Sequence, residues 1–359
     1  PAEAGEQNGY PVTYGGERHL LTVAPTRSGK GVSAIIPALL DHAGSALVVD
    51  PKGENAIVTA EHRAVAGRQN IHLVDPWGKA TGVLGLKPSR FNPLDMLDPA
   101  SPDLVEDALL VADALVMPHG HGDPFWSDEA RAMIMGFILH VVADPREEGR
   151  RTLGRVREIL NLGPKDFYSL VAGEFEGEEG RQRLVRPGMA QSENELVRSA
   201  AARILQKSER ELASVVSTAQ QNTHFLESPP IRESLSRSDF RFEELGRGDT
   251  TVYLVLPVDR LNTFGRWLRL LVSMAITAMA RLERKPEIPV LFLLDEFAAL
   301  GRLEKVEEAY GLMAGFGMQL WAIVQDFSQL KGLYQARWQT FIANAGVIQC
   351  FGTRDWETA

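Results

Sequence analysis

Short apolar runs alternate with segments of helical spacing at both ends of this chain. The runs are residues 19–23, 45–50, 70–75, 250–256, 290–294, 319–324 and 347–351. Apolar positions recur at helical intervals in the intervening residues 56–67, 263–284 and 302–314. Alternation of this kind is typical of βαβ units that build a parallel sheet. We therefore predict an α/β fold with a mainly parallel central sheet.

The segment between these two parts has a different pattern. Residues 99–237 show helical spacing and no strand pattern. We expect helices near residues 104–116, 127–141, 152–162, 164–172 and 193–226. Ser208 and Glu211 form a capping box that interrupts the last of these helices. The prediction is an all-α domain at 99–237, inserted into a sheet domain that consists of residues 1–98 and 238–359.

Composition and charge narrow the class of protein. The 359 residues are 44% hydrophobic and 24% charged, which is ordinary for a folded chain of about two or three domains. A net charge of −9 argues against a generally basic surface that coats nucleic acid. The single cysteine, Cys350, excludes an intramolecular disulfide, and its apolar neighbours predict a buried side chain. The longest apolar helical stretch, residues 268–280, contains Arg269 and is too short to cross a bilayer.

Residues 24–31, Ala-Pro-Thr-Arg-Ser-Gly-Lys-Gly, follow the first apolar run and precede an apolar helix. A strand, a turn ending in Gly-Lys and a helix together form a phosphate-binding loop, in which Lys30 would reach the β- and γ-phosphates. The predicted nucleotide-contacting residues are Thr26, Arg27, Ser28, Gly29, Lys30, Gly31 and Val32. The match is incomplete, because Ala24 replaces the first glycine and Gly31 replaces the hydroxyl residue that binds magnesium. An ordinary surface turn is the alternative.

A second, distant element supports this interpretation. The apolar run at residues 290–294 is followed directly by Asp295 and Glu296. A strand buried on both faces places such carboxylates where ligands bind in open α/β sheets. Asp295 would hold Mg²⁺, directly or through water, and Glu296 would orient or deprotonate the attacking water. A core strand that ends in solvated acids is the alternative, but the combination with Lys30 favours nucleotide hydrolysis.

Five motifs occur in the order found in a known family. They are Thr-Arg-Ser-Gly-Lys-Gly-Val at 26–32, Asp-Pro-Lys-Gly-Glu-Asn at 50–55, Phe-Asn-Pro-Leu at 91–94, Asp-Glu-Phe-Ala-Ala-Leu-Gly at 295–301 and Gln-Asp-Phe-Ser-Gln-Leu at 325–330. With these motifs the chain resembles the type IV secretion coupling proteins, the TraG/TraD-like ATPases of conjugation machinery. The resemblance implies a RecA-like P-loop NTPase fold with an inserted all-α domain, and ATP and Mg²⁺ as cofactors. It also implies an amino-terminal membrane anchor, so we expect this chain, which starts at Pro1, to be the soluble cytoplasmic part of a longer protein.

The resemblance also assigns roles to individual residues. It assigns Lys30 to the phosphates, Asp295 to magnesium and Glu296 to the attacking water, in agreement with the chemical argument. It gives Gln325 a sensor position near the γ-phosphate, with a buried glutamine that satisfies backbone groups as the alternative. Lys52 and Glu54 belong to a family motif, but their chemistry is open. Asp50 and the proline after it could equally end a strand in a turn.

Two features leave the catalytic machinery incomplete at the level of sequence. Gly31 cannot bind magnesium, so the ion would depend on the acid pair, water and phosphate oxygens, with help from Thr26 or Ser33. Ring ATPases also use an arginine from a neighbouring subunit. Arg302 and Arg354 are the candidates here, and solvated surface arginines are the alternative.

The expected partners follow from the resemblance. Coupling proteins deliver DNA–protein complexes or protein effectors to the secretion channel and are similar to hexameric DNA translocases. We therefore expect DNA, relaxosome or effector proteins, channel components and a homo-hexamer at the cytoplasmic face of the bacterial inner membrane, with a monomer possible for the fragment. A helix face with Arg198, Arg203, Lys207 and Arg210 could contact an acidic partner, although a solvated flank is favoured. The alternative functions are a recruitment platform without processive translocation and a cytosolic DNA translocase.

Overall fold

The structure is a computed structural model that describes residues 13–116, 124–177 and 183–352. The strands of the described residues are β1 (His19–Val23), β2 (Ala46–Asp50), β3 (Asn70–Val74), β4 (Glu174–Glu176), β5 (Arg183–Arg186), β6 (Thr250–Val255), β7 (Val290–Leu294), β8 (Met318–Val324) and β9 (Ala345–Cys350). Seven of these strands form one sheet in the order β3-β6-β2-β7-β8-β1-β9. Every neighbouring pair in it is parallel. The predicted α/β fold with a mainly parallel sheet is confirmed.

Helices cover both faces of this sheet. Those of the described residues are α1 (Ile36–Asp41), α2 (Glu54–Val65), α3 (Thr81–Leu84), α4 (Leu104–Leu115), α5 (Pro124–Ala143), α6 (Leu153–Leu160), α7 (Pro164–Ala172), α8 (Glu195–Leu205), α9 (Glu209–Thr223), α10 (Pro229–Ser234), α11 (Leu261–Ala280), α12 (Glu304–Leu312), α13 (Phe327–Tyr334) and α14 (Gln339–Asn344). None of these helices is long and apolar enough to span a membrane.

The side chains of each central strand divide between two apolar cores. In β2, Ala46 and Val48 pack with α1 and α2 on one face. Leu47 and Val49 belong to a larger core on the other face, together with residues of α11 and of the helices α4 to α9. Strands β2, β6 and β7 are buried at every position. This burial explains their uninterrupted apolar runs, because helices exclude water from both faces of a parallel sheet.

The last strand differs from the central ones. Among the described strands, β9 pairs with β1 alone and lies at the edge of the sheet. Its residues alternate between half-buried and exposed, and Cys350 is exposed. The prediction of a buried cysteine is therefore wrong. An apolar run indicates a strand, but it does not indicate whether a helix covers both of its faces.

The segment at 99–237 is largely helical but not entirely so. Strands β4 and β5 form an antiparallel hairpin within it, in which Glu174 is paired with Arg186. We expected no strand here, and that prediction is wrong. Both strands are short, charged and mostly exposed, so they lack the apolar alternation that identifies a strand in sequence. The domain boundaries remain a prediction, because Leu115 of this segment and Leu268 of α11 share one continuous core.

The predicted helix limits hold where a polar side chain caps the helix. Helix α8 ends at Leu205 and α9 begins at Glu209. Ser208 lies between them, and its Oγ accepts a hydrogen bond from the Glu211 N–H at 3.3 Å. This interruption was predicted from the capping box. Helix α5 was expected to begin near residue 127, but the helix already includes residue 124, the first described residue after position 116.

Candidate nucleotide-binding site

The predicted site residues come from four strands that end at the same edge of the sheet. The loop of residues 24–31 follows β1, and Asp50 is the last residue of β2. Asp295 follows β7, and Gln325 follows β8. Because β2, β7, β8 and β1 are consecutive in the sheet, motifs that are distant in sequence become neighbours. Ligands of open α/β proteins bind at this carboxyl edge.

The loop after β1 has the conformation of an anion cradle. Its first residue, Ala24, continues the sheet, since its N–H donates to the carbonyl oxygen of Val324 at 2.8 Å. Arg27 and Gly29 both have left-handed backbone angles, with φ of 63° and 88°. Such angles cost little for glycine but strain other residues, and this strain is typical of functional turns. A short π-helix, Gly31–Ile35, then leads into α1.

Lys30 contacts both acids of the distant couplet. Its Nζ donates to Asp295 Oδ1 at 2.7 Å and to Glu296 Oε1 at 3.2 Å. Burial alone would lower the pKa of Lys30, but the two carboxylates outweigh this effect and raise it. The ammonium is therefore charged at neutral pH. Lys30 and Asp295 lie 265 positions apart in the chain, so the convergence predicted from the two motifs is found in the structure.

Glu296 is held between Lys30 and the predicted sensor. Gln325 Nε2 donates to Glu296 Oε2 at 3.1 Å, which leaves each oxygen of this carboxylate with one donor. The backbone of Glu296 is left-handed, with φ of 53°, and its N–H donates to Asp295 Oδ1 at 3.0 Å. This turn brings two consecutive carboxylates to the same lysine. Gln325 is thus part of the cluster, rather than a glutamine that only satisfies backbone groups.

A cavity of about 210 Å³ lies beside this cluster. Its lining comprises Arg27, Ser28, Gly29, Lys30, Gly31, Val32, Ile35, Asp50, Lys52, Glu54, Asn55 and Asp295. A Cβ built on Gly29 or Gly31 would meet no atom within 4 Å, so the loop backbone faces open space. The Oγ of Ser28 is buried and has no hydrogen-bond partner among the described residues. Open backbone and an unpartnered hydroxyl fit the phosphates of a nucleotide, whose oxygens accept hydrogen bonds.

The metal ligands available here are few. Asp295 lines the cavity and has the carboxylate chemistry that Mg²⁺ prefers. Within residues 13–116, 124–177 and 183–352, no group of three or more His, Cys, Asp or Glu side chains could hold a metal ion. Ser33 Oγ donates to the carbonyl oxygen of Gly29 at 2.9 Å, and Thr26 does not line the cavity. A magnesium ion would accordingly share Asp295 with water and phosphate oxygens.

Asp50 is a site residue whose importance the sequence did not reveal. It is 1% exposed, and its Oδ2 accepts a hydrogen bond from the Ala56 N–H at 2.8 Å. Burial raises the pKa of Asp50 to about 7, although the bond from Ala56 opposes the shift, and the negative charge of Asp295 adds to it. The Asp-Pro pair after an apolar run was the available signal. It also fits a simple strand end, so sequence alone left the question open.

Of the two arginine candidates, Arg302 is not assembled with this cluster. The guanidinium of Arg302 lies 3.6 Å from Glu307 and lines a separate cavity, together with Asp113 and Arg269. Arg354, the other candidate, lies outside the described residues. A residue that acts on the nucleotide of a neighbouring subunit need not lie near its own nucleotide. The identity of the trans-acting arginine therefore stays a prediction.

The basic helix face is largely paired within the molecule. Lys207 Nζ lies 2.5 Å from Glu129 and 2.7 Å from Glu211. Arg203 also pairs with Glu129, and Arg198 donates to two backbone carbonyls before α8. These contacts join α8 and α9 to α5. They favour a structural role over a docking surface for an acidic partner.

The sheet is parallel, its first strand leads into a Gly-Lys loop, and an acid pair follows β7, which β8 separates from β1. These features define the class of RecA-like P-loop NTPase folds. Within this class, the chain belongs to the family of type IV secretory system conjugative DNA transfer proteins, whose family model matches residues 2–359. The family predicted from the five motifs is therefore confirmed.

Individual relatives agree with this assignment. The conjugal transfer protein TraG of Escherichia coli is 31% identical over 337 residues, which are 90% of this chain and 50% of TraG. Protein VirD4 of Agrobacterium fabrum is 32% identical over 357 residues, which are 97% of this chain and 49% of VirD4. The chain thus spans about half the length of the curated relatives it matches.

The fold has a solved counterpart. The plasmid coupling protein TrwB, in complex with the non-hydrolysable ATP analogue ADPNP, superposes with a TM-score of 0.64. The superposition covers 92% of this chain and 70% of the TrwB chain at 17% sequence identity. At this identity the likeness establishes the shared fold alone, and the RecA-like prediction is confirmed.

Proposed function

We propose that this chain binds ATP with Mg²⁺ and hydrolyses it, as the motor part of a coupling protein that delivers substrates to a type IV secretion channel. The observation that carries the proposal is the meeting of Lys30, Asp295, Glu296 and Gln325 beside one cavity. Membership of the conjugative DNA transfer family supports it. The TrwB complexes with ADPNP and with ADP and Mg²⁺ support the choice of nucleotide and metal.

The geometry suggests how the residues would divide the work. The phosphates lie in the cavity, where the N–H groups of the 24–31 loop and the Lys30 ammonium stabilise their charge. Glu296 accepts a proton from the water that attacks the γ-phosphorus, while the bond to the β–γ bridging oxygen breaks. Gln325 keeps this carboxylate oriented through its hydrogen bond. When bound, Mg²⁺ neutralises phosphate charge next to Asp295.

These roles require Lys30 to exchange its bonds to Asp295 and Glu296 for bonds to the phosphates. In the structure the lysine bonds to both acids, which occupies the oxygen that Glu296 would need for a proton. Phosphate oxygens compete for the same ammonium. Glu296 is therefore free to act as a base only when a bound triphosphate has drawn Lys30 away from it.

The decisive variant is Glu296→Gln, which keeps the shape of the side chain but cannot accept a proton. We expect ATP turnover to fall by roughly 10²-fold or more, with binding of a non-hydrolysable ATP analogue retained. Phosphate release and equilibrium binding are measured on the same preparation. Glu308→Gln on α12, which changes an exposed acid, is the matched control and keeps full turnover. A wild-type chain that binds no nucleotide, or a variant that keeps its turnover, overturns the proposal.

The wider assignment concerns cargo and assembly. We propose DNA–protein complexes or effector proteins as cargo, a homo-hexameric ring for the full-length protein, and a place at the cytoplasmic face of the inner membrane. The net charge of −9 restricts DNA contacts to local loops inside such a ring. Turnover by the full-length protein should rise when DNA is added. A rate that does not respond to DNA would favour protein cargo.

One observation favours the alternative of a recruitment platform. An apolar groove of about 620 Å³ lies between α7, α8 and α9, and Tyr168 and Leu205 in it are 62% and 39% exposed. A platform would bind effectors through such a surface without using hydrolysis. It predicts effector binding to the full chain that is the same with ATP, with ADP and without nucleotide. A motor predicts binding or release that changes with the nucleotide.

A further inference from the structure

The turn after β2 and the start of α2 form a second wall of the nucleotide cavity. Lys52, Glu54 and Asn55 line this wall, and the 24–31 loop lines the other. Strand β2 is paired with β7, so the turn lies next to Asp295, on the side of β7 away from β1. The Asp-Pro-Lys-Gly-Glu-Asn motif of residues 50–55 therefore reaches the site, although none of the roles proposed above uses it.

Asn55 is the most informative residue of this wall. It is only 5% exposed, and its side chain faces the cavity. Its backbone oxygen accepts a bond from Thr59, but its carboxamide has no hydrogen-bond partner in the part of the chain that the structure describes. Buried side-chain amides are almost always hydrogen-bonded. The carboxamide of Asn55 is open to the cavity, so it can donate a hydrogen bond to a group that enters it.

The start of α2 adds further donors. Gly53, with φ of 71°, precedes the helix and has no side chain to cap it. The carboxylate of Asp50 accepts a bond from the Ala56 N–H, whereas the N–H groups of Glu54 and Asn55 have no partner among the described residues. Helix α2 is 12 residues long, so its partial positive charge also faces this wall. Together with the Asn55 amide, these groups form a site for anionic oxygen.

Lys52 provides a full positive charge at the mouth of the cavity. Its side chain is exposed and forms no ion pair within the described residues. The cavity lining also holds carboxylates, so its charges are the cations Arg27, Lys30 and Lys52 and the acids Asp50, Glu54 and Asp295. Lys30 is already engaged by Asp295 and Glu296. Lys52 is therefore available to an incoming anion.

We infer that Lys52 and Asn55 bind the terminal phosphate of the nucleotide and thereby distinguish ATP from ADP. This inference rests on the proposed function, in which the loop and Lys30 bind the β- and γ-phosphates and direct the γ-phosphate toward the acid couplet. Because β2 adjoins β7 on the far side from β1, the γ-phosphate is the one that reaches this wall. ADP lacks that phosphate and cannot make these contacts.

The test measures equilibrium binding of a non-hydrolysable ATP analogue and of ADP, each with Mg²⁺, to the full chain. We expect Asn55→Ala and Lys52→Ala each to weaken binding of the ATP analogue by about tenfold, and binding of ADP by less than about twofold. Lys79→Ala is the matched control, since Lys79 lies next to Gly53 but does not line the cavity. It leaves both affinities unchanged. Because Lys52 is exposed, its variant tests the contact without disturbing the core.

The outcomes separate the inference from the function beneath it. An equal loss of affinity for both nucleotides, or no loss for either, overturns the role of the second wall and leaves the ATPase proposal intact. A wild-type chain that binds neither nucleotide overturns the ATPase proposal itself. Preserved ADP affinity in each variant shows that the 24–31 loop is still folded.

Discussion

Two cations of this fold, the buried Arg63 and the half-buried Lys30, lie at opposite edges of the sheet and have opposite surroundings. Arg63, near the end of α2, is 2% exposed at the amino-terminal edge. Its guanidinium donates to the carbonyl oxygens of Leu39, His42 and Gly44 and to the side chains of Gln69 and Thr251. Among the described residues, the ammonium of Lys30 at the carboxyl edge bonds to the acid couplet alone. The buried, unpartnered Ser28 hydroxyl and the Asn55 side chain, which also has no partner there, line the same cavity.

The difference separates a structural cluster from a binding site. All five N–H groups of Arg63 have partners within the protein, so nothing further is needed for its stability. The cluster at Lys30 leaves donors and a hydroxyl unmatched, which supports the proposal that a nucleotide binds there. Helix α2 takes part in both, because it begins at Glu54 in the nucleotide cavity and contains Arg63 near its other end.

The largest effect on stability is expected from Arg63→Met. The methionine fills part of the space but leaves several buried carbonyl oxygens without a donor, at a cost of about 1–3 kcal/mol for each group. We expect the free energy of unfolding to fall by about 3–5 kcal/mol, measured by urea denaturation. Arg210→Met on α9, which changes an exposed arginine, should alter it by less than about 0.5 kcal/mol. If Arg63→Met lowers the unfolding free energy by less than about 1 kcal/mol, Arg63 is not the centre of a structural cluster and its contrast with Lys30 fails.

Lys30→Met should have the complementary effect. We expect ATP turnover to fall by roughly 10²–10³-fold, because the charge that stabilises the transferred phosphate is lost. Stability should fall by less than in Arg63→Met, since the two acids left behind can bind water or protons in the open cavity. Phosphate release and urea denaturation are measured side by side, with Lys305→Met, which changes a partly exposed lysine, as the control. Full turnover without Lys30 would show that this loop does not bind the phosphates.

The contrast also explains which parts could be predicted from the sequence. The central strands were recognisable, because burial on both faces of the sheet requires uninterrupted apolar runs such as residues 290–294. The acid couplet and Lys30 could be paired in advance, since each carries a motif and parallel strands end at a common edge. Family resemblance supplied Gln325, which no local pattern would have singled out.

Other features depend on contacts that a linear pattern does not contain. The hairpin of β4 and β5 is exposed and charged, so it has no apolar signature. The exposure of Cys350 follows from the position of β9 at the sheet edge, which only the strand order defines. Arg63 reads as a surface residue of an amphipathic helix, and only the folded chain brings five acceptors around it. Asn55 likewise becomes a candidate binding residue only because the fold places it on the wall of the cavity.

Asp50 is intermediate between the fully bonded cluster of Arg63 and the open cluster of Lys30. Its effect on the pH dependence of the unfolding free energy is the smallest expected effect and the most specific test. One oxygen is bonded to the Ala56 N–H, yet burial, together with the charge of Asp295, raises its pKa from 3.8 to about 7. The native carboxyl thus binds its proton more tightly than the unfolded one does. Its contribution to stability is fully present below a pH of about 3.8 and is lost as the pH rises through about 7.

Asp50→Asn cannot ionise, so it should lose less stability than the wild type between pH 4.5 and pH 8. We expect a difference of about 1–3 kcal/mol in the change of unfolding free energy, measured by urea denaturation without nucleotide. Asp41→Asn at the exposed end of α1 is the control and should follow the wild type. If Asp50→Asn shows the same pH dependence as the wild type, ionisation of the Asp50 carboxyl does not lower the stability of the native state. The cavity would then carry one more negative charge at neutral pH, and the cations Arg27 and Lys52 would have to balance it before a phosphate could bind.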